Sequence, residues 1–167
     1  MVARVRLRQA TLADQREFLA SVKASRALHH LWVSAASTPN QFRGFIERMS
    51  RPENCALLVC ERESNRIVGV VNITNIVLGV FRSGYLGFYA FAGFERRGLM
   101  YKGLRAAVRH AFGKLKLHRL EANIQPGNAA SIALVRSCGF SKEGYSPRYL
   151  KIAGRWRDHE RWAIRAS

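Results

Sequence analysis

With 167 residues, 48% of them hydrophobic, the chain is long enough to form one domain with a buried core. Its 28 Lys and Arg residues against 11 Asp and Glu residues give a formal net charge of +17. This charge disfavours polycationic ligands and indicates either an anionic macromolecular partner or a basic surface that arises from genomic bias or serves solubility. The start of the chain lacks the apolar block of a secretory signal, and its most apolar stretch, residues 67–81, is shorter than a membrane span, so we expect a cytoplasmic protein.

The first half of the chain predicts a strand, two helices and a hairpin. Residues 5–8 alternate between charged and apolar side chains like a short strand, and residues 12–30 and 40–49 carry apolar side chains at helical spacing. Residues 56–61 and 66–75 are rich in Val, Ile and Leu and are separated by a Ser-Asn pair, which is typical of two hairpin strands.

The second half predicts alternating strands and helices. The predicted strands occupy residues 84–91, 119–124, 149–152 and 156–164, and the predicted helices occupy residues 99–115 and 129–138. Asn128 is placed to cap the last helix, and Gly139 marks its end. Gly154 lies in the turn between the two final strands, and we expect Tyr145 and Trp156 nearby to pack rather than bind substrate.

Residues 95–100 read Glu-Arg-Arg-Gly-Leu-Met and run directly into a helix of strong helix formers. The free N–H groups of a helix's first turn attract an anion, and Gly98 would let a phosphate approach the backbone closely. Arg96 and Arg97 add positive charge beside it. By itself, a glycine before a helix is also compatible with an ordinary turn.

This segment and those that follow resemble the GNAT acyltransferases. In that superfamily a Q/R-x-x-G-x-G/A pattern opens the central helix, and Glu95 and Met100 depart from it here. A methionine at the last position is similar to the RimJ/RimL branch, the ribosomal-protein N-terminal acetyltransferases. Further matches to that branch, within residues 84–164, are His118-Arg119, Pro126, Asn128, Gly139-Phe140, Glu143-Gly144-Tyr145 and Gly154-x-Trp156-Arg157-Asp158-His159.

The resemblance implies an α+β fold with a single GNAT domain over residues 1–167. A mixed central sheet of six to seven strands, flanked by about four helices, would splay between the two central parallel strands, residues 84–91 and 119–124. Acetyl-CoA would be the acetyl donor and CoA the product, with the pantetheine arm on the first of these strands and the pyrophosphate on the loop. The implied cofactor-binding residues are Phe88, Tyr89, Ala90, Arg96, Arg97, Gly98, Leu99, Met100, Asn128 and Ser131.

The catalytic groups are less directly indicated. The tyrosine proton donor of many GNAT enzymes is replaced here by Val135, so Ser131 is our candidate for protonating the departing thiolate. Glu121 is the candidate base, because it lies on a strand lining the predicted cleft; its alternative role is an ion pair with one of the basic residues. Asp158 and His159 are neighbours on a strand, so they should point to opposite faces and not act together.

The acceptor is expected to be an amine. An α-amino group, with a pKa of about 7.7–8.0, is far more often neutral than a lysine, with a pKa of about 10.4, so a carboxylate-poor site suits a protein N-terminus. The expected partner is therefore a protein N-terminus, with ribosomal RNA as a further contact for the basic surface, and the chain would act as a monomer or homodimer. The alternatives are an enzyme that acetylates a small amine and an inactive nucleic-acid-binding protein. We expect no metal, and we expect Cys55, Cys60 and Cys138 to be free thiols.

Overall fold

The structure, a computed structural model, describes residues 4–167; residues 1–3 of the predicted domain lie outside the described residues. Its strands are β1 (Val5–Gln9), β2 (Cys55–Glu61), β3 (Ile67–Val77), β4 (Ser83–Ala90), β5 (Arg119–Ile124), β6 (Ser141–Ile152) and β7 (Arg155–Arg165). Its α-helices are α1 (Gln15–Ala24), α2 (Arg26–His29), α3 (Pro39–Met49), α4 (Leu99–Gly113) and α5 (Ala129–Ser137), and a 3-10 turn covers Leu12–Asp14. The strands form one sheet in the order β1-β2-β3-β4-β5-β7-β6.

The sheet separates two layers of helices. Val59, Gly69 and Ala90 are neighbours in register across β2, β3 and β4, and α4 packs on this face with Gly103 against the side chain of Val59. On the opposite face, the ring of Phe18 in α1 contacts Phe42 of α3 and Phe91. We call these the α4 face and the α1 face.

The predicted splay is confirmed. The parallel strands β4 and β5 pair only at Ser83–Arg119, Gly84–Leu120 and Tyr85–Glu121 among the described residues, although β4 continues to Ala90 and β5 to Ile124. Beyond Tyr85 and Glu121 the two strands therefore leave backbone groups without a partner strand, and a gap opens in the middle of the sheet.

Two predicted boundaries are wrong. The helix predicted over residues 12–30 is broken at Ser25, whose backbone (φ −101°, ψ 10°) leaves the helix. The Ser25 hydroxyl donates to the carbonyl of Ser21 (2.6 Å) and accepts from the N–H of Ala92 (2.9 Å), so this buried serine ties the break to the end of β4. A side chain that competes for backbone groups in this way ends helices.

The last hairpin is also longer than predicted, because β6 begins at Ser141 rather than at residue 149. It is an edge strand whose side chains are mostly exposed, and its pairing with β7 is irregular at two places, so the alternation that identifies a strand is absent from its sequence. Tyr145 and Trp156, which we expected to pack rather than bind substrate, are 48% and 56% exposed, so the expectation that they pack is wrong.

The three cysteines are free, with Cys55 and Cys60 buried and Cys138 half-buried, which confirms that prediction. No helix within residues 4–167 is long and apolar enough to cross a membrane.

Candidate active site

A cavity of about 440 Å³ occupies the splay between β4 and β5. Residues from both faces of β4 line it: Phe88 and Ala90 from the α4 face, and Gly87 and Tyr89 from the α1 face. The cavity therefore passes through the sheet. Its α4 side is lined by Met100, Asn128, Ala130, Ser131 and Leu134, and its α1 side by His29, Trp32, Asn72, Asn123 and His159.

The loop before α4 has the geometry of an anion site. Gly98 precedes the helix with φ 69° and ψ 10°, a left-handed conformation that favours glycine, and a Cβ at this position would meet no atom within 4 Å. The first helical hydrogen bond of α4 runs from the N–H of Lys102 to the carbonyl of Gly98. Within residues 4–167, no N–H group from residues 96–101 donates a backbone hydrogen bond, so these donors have no backbone partner at the positive end of the helix.

The two arginines of this loop have different roles. The guanidinium of Arg97 forms an ion pair with Glu61 and lies 5.8 Å from the ring centroid of Phe94. The hydrogen bond from Ser64 and the charge of Arg97 lower the pKa of Glu61, so this pair is ionised. Arg97 thus contributes its main chain to the loop but not a free charge. Arg96 is exposed, with φ 58°, and is the nearer source of uncompensated charge.

The main chain of β4 offers hydrogen-bonding groups to the gap. The N–H of Phe91 donates to Val68 in β3, and because backbone groups alternate along a strand, Tyr89 also faces β3 whereas Phe88 and Ala90 face the gap. The carbonyl of Ala90 is already bound by the imidazole Nε2 of His29 at 2.7 Å. The carbonyl of Phe88 and the N–H of Ala90 remain for a pantetheine arm.

The start of α5 lies on the same side. The side-chain oxygen of Asn128 accepts from the N–H of Ser131 at 3.3 Å, which confirms the predicted cap. Both residues line the cavity. Val135, one turn further along, is fully buried in the core and cannot donate a proton. Met100 fits beside them because Gly69 lacks a side chain: a Cβ on Gly69 would come within 2.5 Å of the Met100 sulfur.

Glu121 lies away from the cavity residues. Its carboxylate pairs with Arg119 at 3.0 Å, and Arg119 also binds Glu143 at 2.5 Å. Glu121 lies on the α1 face, level with Tyr85, where β4 and β5 are still paired, and is not among the residues that line the cavity. The structure thus places Glu121 in the ion pair that the sequence left as its alternative role.

Three cavity residues were not singled out from the sequence as site residues. The side-chain oxygens of Asn72 and Asn123 are buried without a hydrogen-bond partner among the described residues. His159 is 3% exposed and its Nδ1 lies 2.9 Å from the carbonyl of Arg157. Asp158 accepts a hydrogen bond from the hydroxyl of Tyr145 at 2.6 Å and does not line the cavity, which agrees with the expectation that the two neighbours point to opposite faces. Isolated polar residues on strands give no signal before the strand order is known.

Comparison with known proteins identifies the family. The family model "Acetyltransferase (GNAT) domain" matches residues 4–141. The chain belongs to the GNAT acetyltransferases. It is 28% identical over 152 residues to the probable N-acetyltransferase YjcK of Bacillus subtilis, covering 91% of this chain and 83% of YjcK. It is 41% identical over 97 residues to the ribosomal protein uS5-alanine N-acetyltransferase of Escherichia coli, covering 58% of this chain and 50% of that enzyme.

Solved structures agree with this assignment. Mycobacterium smegmatis RimJ in complex with CoA-disulfide superimposes with a TM-score of 0.89 at 24% identity, covering 97% of this chain and 82% of RimJ. The spermidine N-acetyltransferase of Vibrio cholerae, in complex with CoA and spermine, shares the fold with a TM-score of 0.83 at 19% identity, covering 98% of this chain and 96% of that one. The predicted GNAT fold, the N-acetyltransferase activity and acetyl-CoA as the donor are confirmed. The likeness to the uS5-alanine enzyme supports the RimJ/RimL-like branch.

Proposed function

We propose that this acetyltransferase modifies the N-terminal α-amine of a protein, with a ribosomal protein as the acceptor. The observation that carries the proposal is the lining of the splay cavity, which contains no Asp, Glu, Lys or Arg among the residues of the described chain. A neutral cavity cannot neutralise a polycation, whereas it accepts a single amine at the end of an uncharged main chain.

The ionisation of the acceptor supports this choice. An α-amine has a pKa of about 7.7–8.0, so a substantial fraction is neutral near pH 7.4, whereas a lysine amine, at about 10.4, is almost entirely charged. Transfer from water into a largely apolar cavity lowers an amine pKa further. A protein N-terminus is then ready to attack without a strong base, while a lysine or a polyamine is not. The resemblance to the uS5-alanine enzyme of E. coli makes a ribosomal protein the leading acceptor.

We assign the cofactor to the α4 side of the cavity. The pyrophosphate would lie on the N–H groups of residues 97–100 with Arg96 beside it, and the pantetheine on the main chain of Phe88 and Ala90, with Asn128 at its side. Acetyl-CoA, when bound, supplies an activated acetyl thioester. Ser131, one helical turn into α5, would donate its hydroxyl hydrogen toward the departing sulfur.

The basic surface fits a ribosomal location. Arg105, Arg109, Lys114 and Lys116 are exposed on and just after α4, and the chain carries a net charge of +17. We propose that this charge attracts ribosomal RNA and brings the cavity to its acceptor, which also places the protein in the cytoplasm. In this proposal residues 1–167 act as one catalytic domain, because a single continuous sheet joins β1 to β7.

The proposal is tested by offering acetyl-CoA with three acceptors at equal concentration: a hexapeptide with a free N-terminal alanine, the same peptide with its N-terminus blocked and one internal lysine, and spermidine. We expect the free N-terminus to be acetylated with kcat/KM at least tenfold above the other two. Preferential acetylation of spermidine would refute the proposed acceptor while leaving the acetyltransferase activity intact.

A further inference from the structure

Two amide oxygens on the α1 side of the cavity have no partner in the protein. Asn72 in β3 is in register with Gly87 in β4. Asn123 lies two residues beyond Glu121, and Gly87 two residues beyond Tyr85, with which Glu121 is in register. The two asparagines therefore flank Gly87 on the same face, one on each side. Their Oδ1 atoms are buried and make no hydrogen bond within residues 4–167.

A buried acceptor without a hydrogen bond destabilises a fold, so two of them in one cavity indicate a ligand that supplies the missing donors. Gly87 leaves the space between them open, because a Cβ on this residue would meet no atom within 4 Å. The missing ligand group carries N–H or O–H donors and fits between the two amides. An acceptor amine meets both conditions.

His159 is the third polar side chain at this site. A backbone carbonyl only accepts hydrogen bonds, so the 2.9 Å contact with the carbonyl of Arg157 requires the proton on Nδ1. In the neutral ring, Nε2 is then an unprotonated acceptor. It makes no hydrogen bond to another residue of the described chain, and the ring lines the same cavity. The ring of Tyr149, at a centroid distance of 6.1 Å, packs against it.

We propose that Asn72, Asn123 and His159 form the acceptor-amine site: the two amide oxygens orient the amine through its N–H groups, and His159 Nε2 takes its proton. As the amine nitrogen bonds to the acetyl carbon and the carbon–sulfur bond breaks, CoA leaves as the thiolate and the surplus N–H proton moves to Nε2. None of the three groups carries a negative charge. A carboxylate in their place would stabilise the ammonium form and raise the amine pKa, which is the wrong direction for a nucleophile.

This inference rests on the N-acetyltransferase activity and not on the identity of the acceptor. The test compares Asn72→Leu, Asn123→Leu and His159→Gln with the wild type. The matched control is Thr74→Val, on β3 two residues from Asn72 and outside the cavity lining. Acceptor KM and kcat are measured with the alanine hexapeptide and with spermidine, acetyl-CoA affinity by calorimetry, and thermal midpoints without ligand.

We expect each Asn→Leu variant to raise acceptor KM about five- to tenfold, as the loss of one hydrogen bond does, with acetyl-CoA affinity unchanged. His159→Gln should lower kcat about 100-fold or more, the range of general-base catalysis, with a small effect on KM. The control should match the wild type. If spermidine is the better substrate, the N-terminal acceptor is refuted, and the KM and kcat of the variants are then compared with those of the wild type on spermidine.

The thermal unfolding midpoints test the proposal without any acceptor present. Because Leu removes an unsatisfied polar group and matches Asn in size, the Asn72→Leu and Asn123→Leu proteins should be at least as stable as the wild type. Lower midpoints for these variants would mean that the amides serve the fold, and unchanged acceptor KM would mean that they do not touch substrate. Either result overturns the proposal.

Discussion

Replacing Gly98 with phenylalanine tests whether the loop before α4 holds the cofactor phosphates. The substitution has two effects that must be separated. Gly98 has φ 69°, and a residue with a Cβ in this left-handed region costs about 1–2 kcal/mol of folding free energy. For a domain of this length, that lowers the thermal midpoint by a few degrees. The second effect is steric, because the ring would occupy the open space in front of the loop's N–H groups.

The steric effect sets the expected loss of affinity. A helix-end contact with an anion is worth about 0.3–1 kcal/mol when exposed and up to about 2 kcal/mol when partly buried. Loss of two or three such contacts removes about 2–3 kcal/mol, which corresponds to a roughly 30- to 150-fold higher Kd for acetyl-CoA.

Gly154 provides a matched control. It has φ 78° in the turn between β6 and β7, and a Cβ there also meets no atom within 4 Å. Gly154→Phe therefore imposes a similar backbone cost away from the loop. Calorimetric titration with acetyl-CoA and thermal unfolding of both variants separate the two effects. We expect similar midpoints but weakened binding only for Gly98→Phe; equal affinities in the two variants would refute the phosphate loop.

Three further predictions concern the acceptor path, the core and the response to acid. Gly87→Leu should raise acceptor KM at least tenfold in steady-state assays with little change in acetyl-CoA affinity, and an unchanged KM would show that the acceptor enters elsewhere. Gly103→Ala brings a Cβ within 2.5 Å of a Val59 methyl, so it should lower the free energy of unfolding in urea by about 1–3 kcal/mol. Adding Val59→Ala to this variant should restore most of the loss. A Gly103→Ala protein as stable as the wild type would contradict the α4 packing. Burial raises the pKa of Asp14, but hydrogen bonds from Arg8 and Thr11 lower it by more, so its pKa in the folded protein lies below the ordinary value of about 3.9. The ionised carboxylate therefore stabilises the fold at pH values above about 3.9, and this contribution is lost as the pH falls below that value. The Asp14→Asn protein should therefore lose less stability than the wild type on acidification from about pH 5 to pH 3, and parallel urea midpoints for the two proteins would refute this.

The loop, the central helix and the capped helix were predictable because their signals are local. Gly98 stands directly before a run of helix formers, and Asn128 stands before the next helix, so a few adjacent residues specify each feature. The break at Ser25 was not predictable, since its partner, the N–H of Ala92, lies in the turn after β4, far along the chain. The long edge strand β6 was missed because exposed strands lack the alternation that burial imposes.

The sequence by itself determined the family and the donor, because these depend on short motifs, and it predicted the phosphate loop from the backbone freedom of one glycine. Only the tertiary structure decided which side chains meet. It turned Arg97 toward Glu61 and brought Asn72, Asn123 and His159 to one cavity. The physical reason is that periodicity tells which residues share a face of one strand, whereas strand order, register and the separation of β4 from β5 decide which strands lie side by side.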